Sequence, residues 1–114
     1  TCGEPVLAVE NIEGYEYTDD EADFCLIARG DSMINARIYD GDLVFVRRQD
    51  DVDSGDIAVV LIDDEATIKR VIKANGTLIL QPENPQYSPI VITKKDKRAV
   101  RILGKVIAVK FKVR

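Results

Sequence analysis

A chain of 114 residues suits one domain, and its 46% apolar residues exclude a disordered segment even beside 32% charged ones. A net charge of −4, with no helix-turn-helix pattern, excludes autonomous nucleic-acid binding. The lack of any histidine removes Ser-His and Cys-His catalysis and most catalytic zinc sites, and no apolar run approaches the roughly 18 residues of a membrane span.

The chain starts on an acidic, loop-like stretch, Thr1 to Asp23, with a short apolar run at Val6–Val9. It begins at Thr1 rather than Met and shows no signal peptide, which reads as a fragment or a processed product. Phe24–Arg29 predicts a strand, and Gly30 to Asp42 is rich in turn formers with a short helix expected at Met33–Ile38. Leu43–Arg47 predicts the next strand, and Asp50–Asp56 a polar turn centred on Ser54-Gly55. Ile57–Ile62 is a continuous apolar run of strand length. Asp63-Asp64 then makes a hairpin connection to a returning strand, Ala66–Lys73. Asn75-Gly76 between apolar runs is a strong hairpin signal and leads into Leu78–Leu80. Pro82, Pro85 and Pro89 mark an irregular segment, Ile90–Ile92 a short strand, and Val100 to Val113 a long alternating one. Gly104 marks a bulge or bend within it. The expectation is a mostly β, compact antiparallel domain over residues 1–114, of barrel or sandwich type, with little helix.

Charge is unevenly spread. Residues 1–65 carry 18 acidic and four basic side chains, whereas residues 66–114 carry two and 12. Such asymmetry suits either a partner surface or two halves that fold together and pair their charges. The basic residues mostly alternate with apolar ones, as on strand faces, which favours pairing. Cys2 and Cys25 have no metal-ligand spacing; they suit either a disulfide or the reduced thiols usual in a cytosolic protein.

Without histidine, a serine nucleophile needs another base, and lysine is the remaining choice. Ser54 and Ser88 lie in turn sequences. Ser32, in Gly30-Asp31-Ser32-Met33, follows a strand that ends at a glycine. Such a junction can expose a side chain and point nearby amides at one spot, as an oxyanion hole requires; taken alone the signal is weak, because Gly-Asp-Ser is a common turn sequence. Among eight lysines, Lys69 adjoins Arg70 in Thr67-Ile68-Lys69-Arg70-Val71. Alternation sends two adjacent cations to opposite faces, with Lys69 beside Thr67 and Val71. From the residues alone a solvated, snorkelling lysine is the favoured reading; the other is that one cation faces inward, where desolvation favours the neutral, basic amine.

Taken in order, the motifs are more specific. Gly30-Asp31-Ser32-Met33, Tyr39-Asp40-Gly41-Asp42-Leu43-Val44, Ser54-Gly55-Asp56-Ile57 and Glu65-Ala66-Thr67-Ile68-Lys69-Arg70 are followed by Gln81-Pro82-Glu83-Asn84-Pro85, Tyr87-Ser88-Pro89-Ile90 and Ile102-Leu103-Gly104-Lys105-Val106. This series resembles the C-terminal domain of LexA and related phage repressors, members of a Ser-Lys protease clan shared with signal peptidases. The resemblance runs from about Cys2 to the C-terminus.

It implies Ser32 as nucleophile, Lys69 as general base, and the backbone amides of Asp31 and Ser32 as oxyanion hole. It implies self-cleavage between Cys2 and Gly3, where many members have Ala-Gly. It also implies a homodimer, with Val100 to Val113 at the interface, and activation by RecA filaments on single-stranded DNA. DNA would be reached only through an N-terminal domain absent from this sequence. No cofactor, metal or membrane enters, and the setting is cytoplasmic. A UmuD-like polymerase accessory protein shares the fold and a Cys-Gly site. Ala8-Val9-Glu10-Asn11-Ile12-Glu13 and the Pro-Glu-Asn-Pro run favour the repressor. A signal peptidase fits less well, since no membrane anchor is visible. A non-cleaving dimerisation module fits poorly with the presence of both Ser32 and Lys69.

Overall fold

A computed structural model describes residues 22–111. Seven strands, β1 (Phe24–Ile27), β2 (Leu43–Arg48), β3 (Ile57–Ile62), β4 (Glu65–Ala74), β5 (Thr77–Gln81), β6 (Ile90–Ile92) and β7 (Val100–Lys110), form one antiparallel sheet in the order β1-β2-β7-β3-β4-β5-β6. The expectation of a mostly β fold with little helix is met, with all seven strands in a single continuous sheet. The apolar Val6–Val9 stretch, the Cys2-Gly3 bond and Val113 lie outside the described residues.

Strand alternation assigns the apolar side chains to two faces. Phe24, Leu26, Val44, Val46, Val59 and Ile68 share one core cluster. Their neighbours along the same strands pack on the opposite face, Cys25 with Leu43 and Phe45 at one end, and Ala58, Val60 and Val71 with Leu80 at the other. β3 therefore buries both faces, which is why it reads as an unbroken apolar run.

The turns follow their residue types. Asn75 and Gly76 both take positive φ (51° and 77°), the pair of left-handed conformations that a two-residue hairpin needs. Ile62 pairs with Glu65 around Asp63-Asp64, where Asp63 has φ 53°. Gly104 sits beside a register shift between β3 and β7, as expected of a bulge. A Cβ there would lie against the Arg47 carbonyl and within 2.6 Å of Val46 Cγ1, so only glycine fits without displacement.

Some boundaries differ from the sequence expectation. β1 stops at Ile27, because Ala28 N–H turns to the carbonyl of Asp42 (2.9 Å) and Gly30 follows with φ 83°. The helix expected over Met33–Ile38 is only a 3₁₀ turn, Ile34–Ala36, ended by Arg37 in the left-handed region (φ 63°). β4 extends one residue beyond the expectation at each end, because hairpin pairing carries to Glu65 and Ala74.

The acidic first half and the basic second half meet in cross-half ion pairs, Lys73–Asp51 at 2.7 Å and Lys105–Asp56 at 3.7 Å. This is the pairing that alternation favoured over a separate charged surface.

Candidate active site

Ser32 leaves the sheet on an excursion between β1 and β2. Its neck is closed by Ala28 N–H to Asp42 C=O (2.9 Å) and Gly41 N–H to Ala28 C=O (2.8 Å). Asp40 and Asp42 brace it from within: their carboxylates accept Gly30 N–H and Tyr39 N–H, each at 2.8 Å. This explains the Tyr39-Asp40-Gly41-Asp42 run, whose two carboxylates satisfy backbone donors that no strand pairs. Met33 and Ile38 tuck into the main core with Ile68 of β4. In a flat sheet β1 and β4 would stand four strand spacings apart, roughly 19 Å. The excursion, anchored by Met33 and Ile38, brings Ser32 to β4.

There Lys69 Nζ stands 3.2 Å from Ser32 Oγ. Both side chains are buried, Ser32 at 2% and Lys69 at 4% exposure. Nζ also lies 2.7 Å from Thr67 Oγ1 and 3.1 Å from the Ile68 carbonyl. Nζ donates to all three oxygens, which matches the three N–H bonds of an ammonium; once a proton is lost, the freed lone pair can face the Ser32 hydroxyl while the other two bonds stay in place. Desolvation acts against the ammonium form of a lysine so placed. Of the two adjacent cations, Lys69 is the inward one; Arg70 pairs with Glu83 and donates to the Gly55 carbonyl at 2.6 Å.

A cleft of about 710 Å³ opens on the Lys69 side of the pair, lined by Thr67, Lys69, Ile62, Tyr87, Ser88 and Arg98 among others, while Ser32 lines a separate small pocket with Gly30, Met33 and Ile38. Ser54 lies elsewhere, in the turn its sequence suggested, and its hydroxyl accepts Lys73 N–H at 2.9 Å. Ser88 lines the cleft without a bond to Lys69 or Ser32 among the described residues. Among the described residues, neither Asp31 nor Ser32 spends its backbone N–H on an internal acceptor. No group of His, Cys, Asp or Glu suited to a metal occurs among the described residues. Cys2 and Gly3 lie outside them.

Thr67 is the site residue that sequence reading named only as a neighbour. The signal was its position two residues before Lys69, on the same strand face. Asn84 was missed altogether as a site neighbour. It is buried at 6% exposure and donates to the Asp31 carbonyl at 2.9 Å, a contact across 53 residues of sequence. Tyr87 adds a hydroxyl bond to the Asp31 carboxylate, which pushes the Tyr87 phenol up from its ordinary pKa.

A family model described as Peptidase S24-like matches residues 1–107. The chain is 51% identical over 112 residues to a LexA repressor of Caldicellulosiruptor saccharolyticus, covering 94% of this chain and 53% of that protein. It is 47% identical over 117 residues to a LexA repressor of Pelotomaculum thermopropionicum, covering 98% of this chain and 55% of the other. A LexA repressor of Acetivibrio thermocellus is 46% identical over 114 residues, with 96% and 52% covered. The chain spans about half the length of the curated relatives it matches.

Proposed function

Because the chain belongs to the Peptidase S24-like family, we propose that it is a serine endopeptidase acting on its own backbone, with Ser32 as nucleophile and Lys69 as general base. The observation that carries this reading is the 3.2 Å approach of Lys69 Nζ to Ser32 Oγ in a buried, histidine-free site.

Neutral Lys69 takes the hydroxyl proton as Ser32 Oγ attacks the carbonyl carbon of Cys2. The carbonyl oxygen becomes an oxyanion, and the N–H groups of Asp31 and Ser32 receive it; one such donor is typically worth about 10²–10³ in rate. The tetrahedral centre collapses, the Cys2–Gly3 C–N bond breaks, and protonated Lys69 gives its proton to the Gly3 nitrogen. Cys2 is left as an ester on Ser32. Lys69 then removes a proton from water, which hydrolyses that ester and restores the hydroxyl. Since the substrate is tethered, docking of the Cys2-Gly3 segment replaces a binding step.

On this reading residues 1–114 are the C-terminal domain of a LexA-like transcriptional repressor of the DNA-damage response. The half-length match to proteins named LexA repressor supports it. DNA is contacted by a separate N-terminal domain, and RecA filaments on single-stranded DNA favour the cleavable state. The chain forms a homodimer through the strand region Val100 to Val113, where Phe111 is 68% exposed just past β7. The protein needs no cofactor and works in the cytoplasm.

The test is self-cleavage of a chain extended upstream of Thr1, followed by mass spectrometry from neutral to alkaline pH. Cleavage after Cys2 is expected to rise with pH, because alkali supplies the neutral amine, and to vanish in Ser32→Ala and Lys69→Ala. An intact chain at every pH would overturn the protease reading.

A further inference from the structure

The Gln81-Pro82-Glu83-Asn84-Pro85 run has no part in the mechanism above, yet it folds onto the segment that carries Ser32. Asn35 N–H donates to the Glu83 carbonyl at 2.9 Å, and Asn84 Nδ2 donates to the Asp31 carbonyl at 2.9 Å. The orientation of the Asn84 amide is fixed by its other end. Oδ1 accepts Gln86 N–H at 3.0 Å, and a backbone N–H can only donate, so the atom facing Asp31 must be the nitrogen.

The Asp31–Ser32 peptide is trans, like every described peptide bond. In a trans unit the C=O and N–H point in opposite directions within one rigid plane. A donor that grips the Asp31 carbonyl therefore also sets where the Ser32 N–H points. That N–H is one of the two amides assigned to the oxyanion, and it has no acceptor among the described residues.

We infer that Asn84 is a positioning residue for self-cleavage: by holding the Asp31 carbonyl it aims the Ser32 amide at the oxyanion. The inference rests on Ser32 being the nucleophile. Asn84 touches neither the scissile carbonyl nor Lys69 in this role, so it acts on the height of the barrier and not on the titration of the base. Without it the peptide plane can rotate, and the oxyanion loses a preorganised donor.

The experiment measures self-cleavage of the upstream-extended chain against pH for the parent, Asn84→Asp, Tyr87→Phe and Ser32→Ala. At alkaline pH the carboxylate introduced by Asn84→Asp keeps the acceptor for Gln86 but has no proton to donate. The expected result is a limiting rate reduced on the order of 100-fold, the worth of one oxyanion donor; in the uncharged Asn84→Ala, measured alongside, the pH midpoint stays unchanged. Tyr87→Phe loosens only the Asp31 side chain and is expected to reduce the rate far less. Thermal unfolding establishes that each variant is folded; if Asn84→Asp is not, Asn84→Ala removes the donor without adding charge. A limiting rate within about twofold of the parent, or a fall in Asn84→Ala accompanied by a moved midpoint, overturns the inference. Cleavage that survives Ser32→Ala overturns the nucleophile assignment and the inference with it. Cleavage abolished by Ser32→Ala but untouched by Asn84→Asp overturns the inference alone.

Discussion

Thr67 Oγ1 lies 2.7 Å from Lys69 Nζ, two residues away on the same face of β4. A hydrogen bond to a charged group contributes about 1.5–3 kcal/mol, against about 0.5–1.5 kcal/mol between neutral groups. Thr67 therefore favours the ammonium form more than the amine, while also aiming the amine at Ser32. Thr67→Val removes both effects at nearly constant shape. The pH midpoint of self-cleavage is expected to move to lower pH by on the order of one unit, since one unit corresponds to about 1.4 kcal/mol. The limiting rate is expected to fall about tenfold as the amine loses its aim. A rate–pH profile indistinguishable from the parent would refute this role.

Gly104 is required for room, not for its φ. Its φ lies outside the positive region, but the Arg47 carbonyl and Val46 Cγ1 leave no space for a methyl group. Gly104→Ala is expected to destabilise the fold by about 1–3 kcal/mol, the usual range for overpacking against backbone. In urea the midpoint should fall with the slope unchanged, because the surface exposed on unfolding stays the same. A shifted slope would mean that the sheet had re-registered.

Asp96 gives a pH dependence with a defined window. Its carboxylate accepts the Arg98 guanidinium at 2.5 Å and 2.9 Å and the Arg98 N–H at 3.0 Å. The Arg98 side chain, with its backbone N–H, holds Asp96 down to about 2, below the ordinary value of 3.8. A depressed folded-state pKa contributes stability above the unfolded value, and that contribution drains as pH falls through the folded one. Asp96→Asn should therefore flatten stability against pH between about 4 and 2. Asp51, also lowered by its bond to Lys73, would leave some slope in place. Thermal unfolding across that pH range is the check, and an unaltered curve would count against the pairing.

Much of this molecule is legible in its sequence because β structure repeats every two residues. Ile57–Ile62 was located to the residue, since a six-residue apolar run flanked by polar turns has few other uses. Asn75-Gly76 announced its hairpin through a conformational preference that needs no tertiary context. The family could be read from motif order, and the match over residues 1–107 agrees. The Met33–Ile38 expectation was too regular, because there the chain follows tertiary anchors. Asn35 N–H goes to Glu83 and Arg37 is left-handed, neither of which a helical pattern reveals. The inward turn of Lys69 was one of two open readings, as alternation separates it from Arg70 but does not say which face is covered. Asn84 could be read as part of a motif but not placed beside Ser32: a contact across 53 residues leaves no local periodicity.

The sequence separation of 37 residues from Ser32 to Lys69 also bears on timing. β4 reaches β1 only through β3, β7 and β2, and β7 is the last of the described strands in chain order. In an unfolded or growing chain Lys69 is hydrated, with an ordinary pKa of about 10.4, and is overwhelmingly a cation at neutral pH. Such a chain holds no base, and it closes a loop of that length on Ser32 only in passing. On the proposed mechanism, self-cleavage would wait until β7 has been synthesised and docked, and topology alone would keep a newly made chain from its own nucleophile.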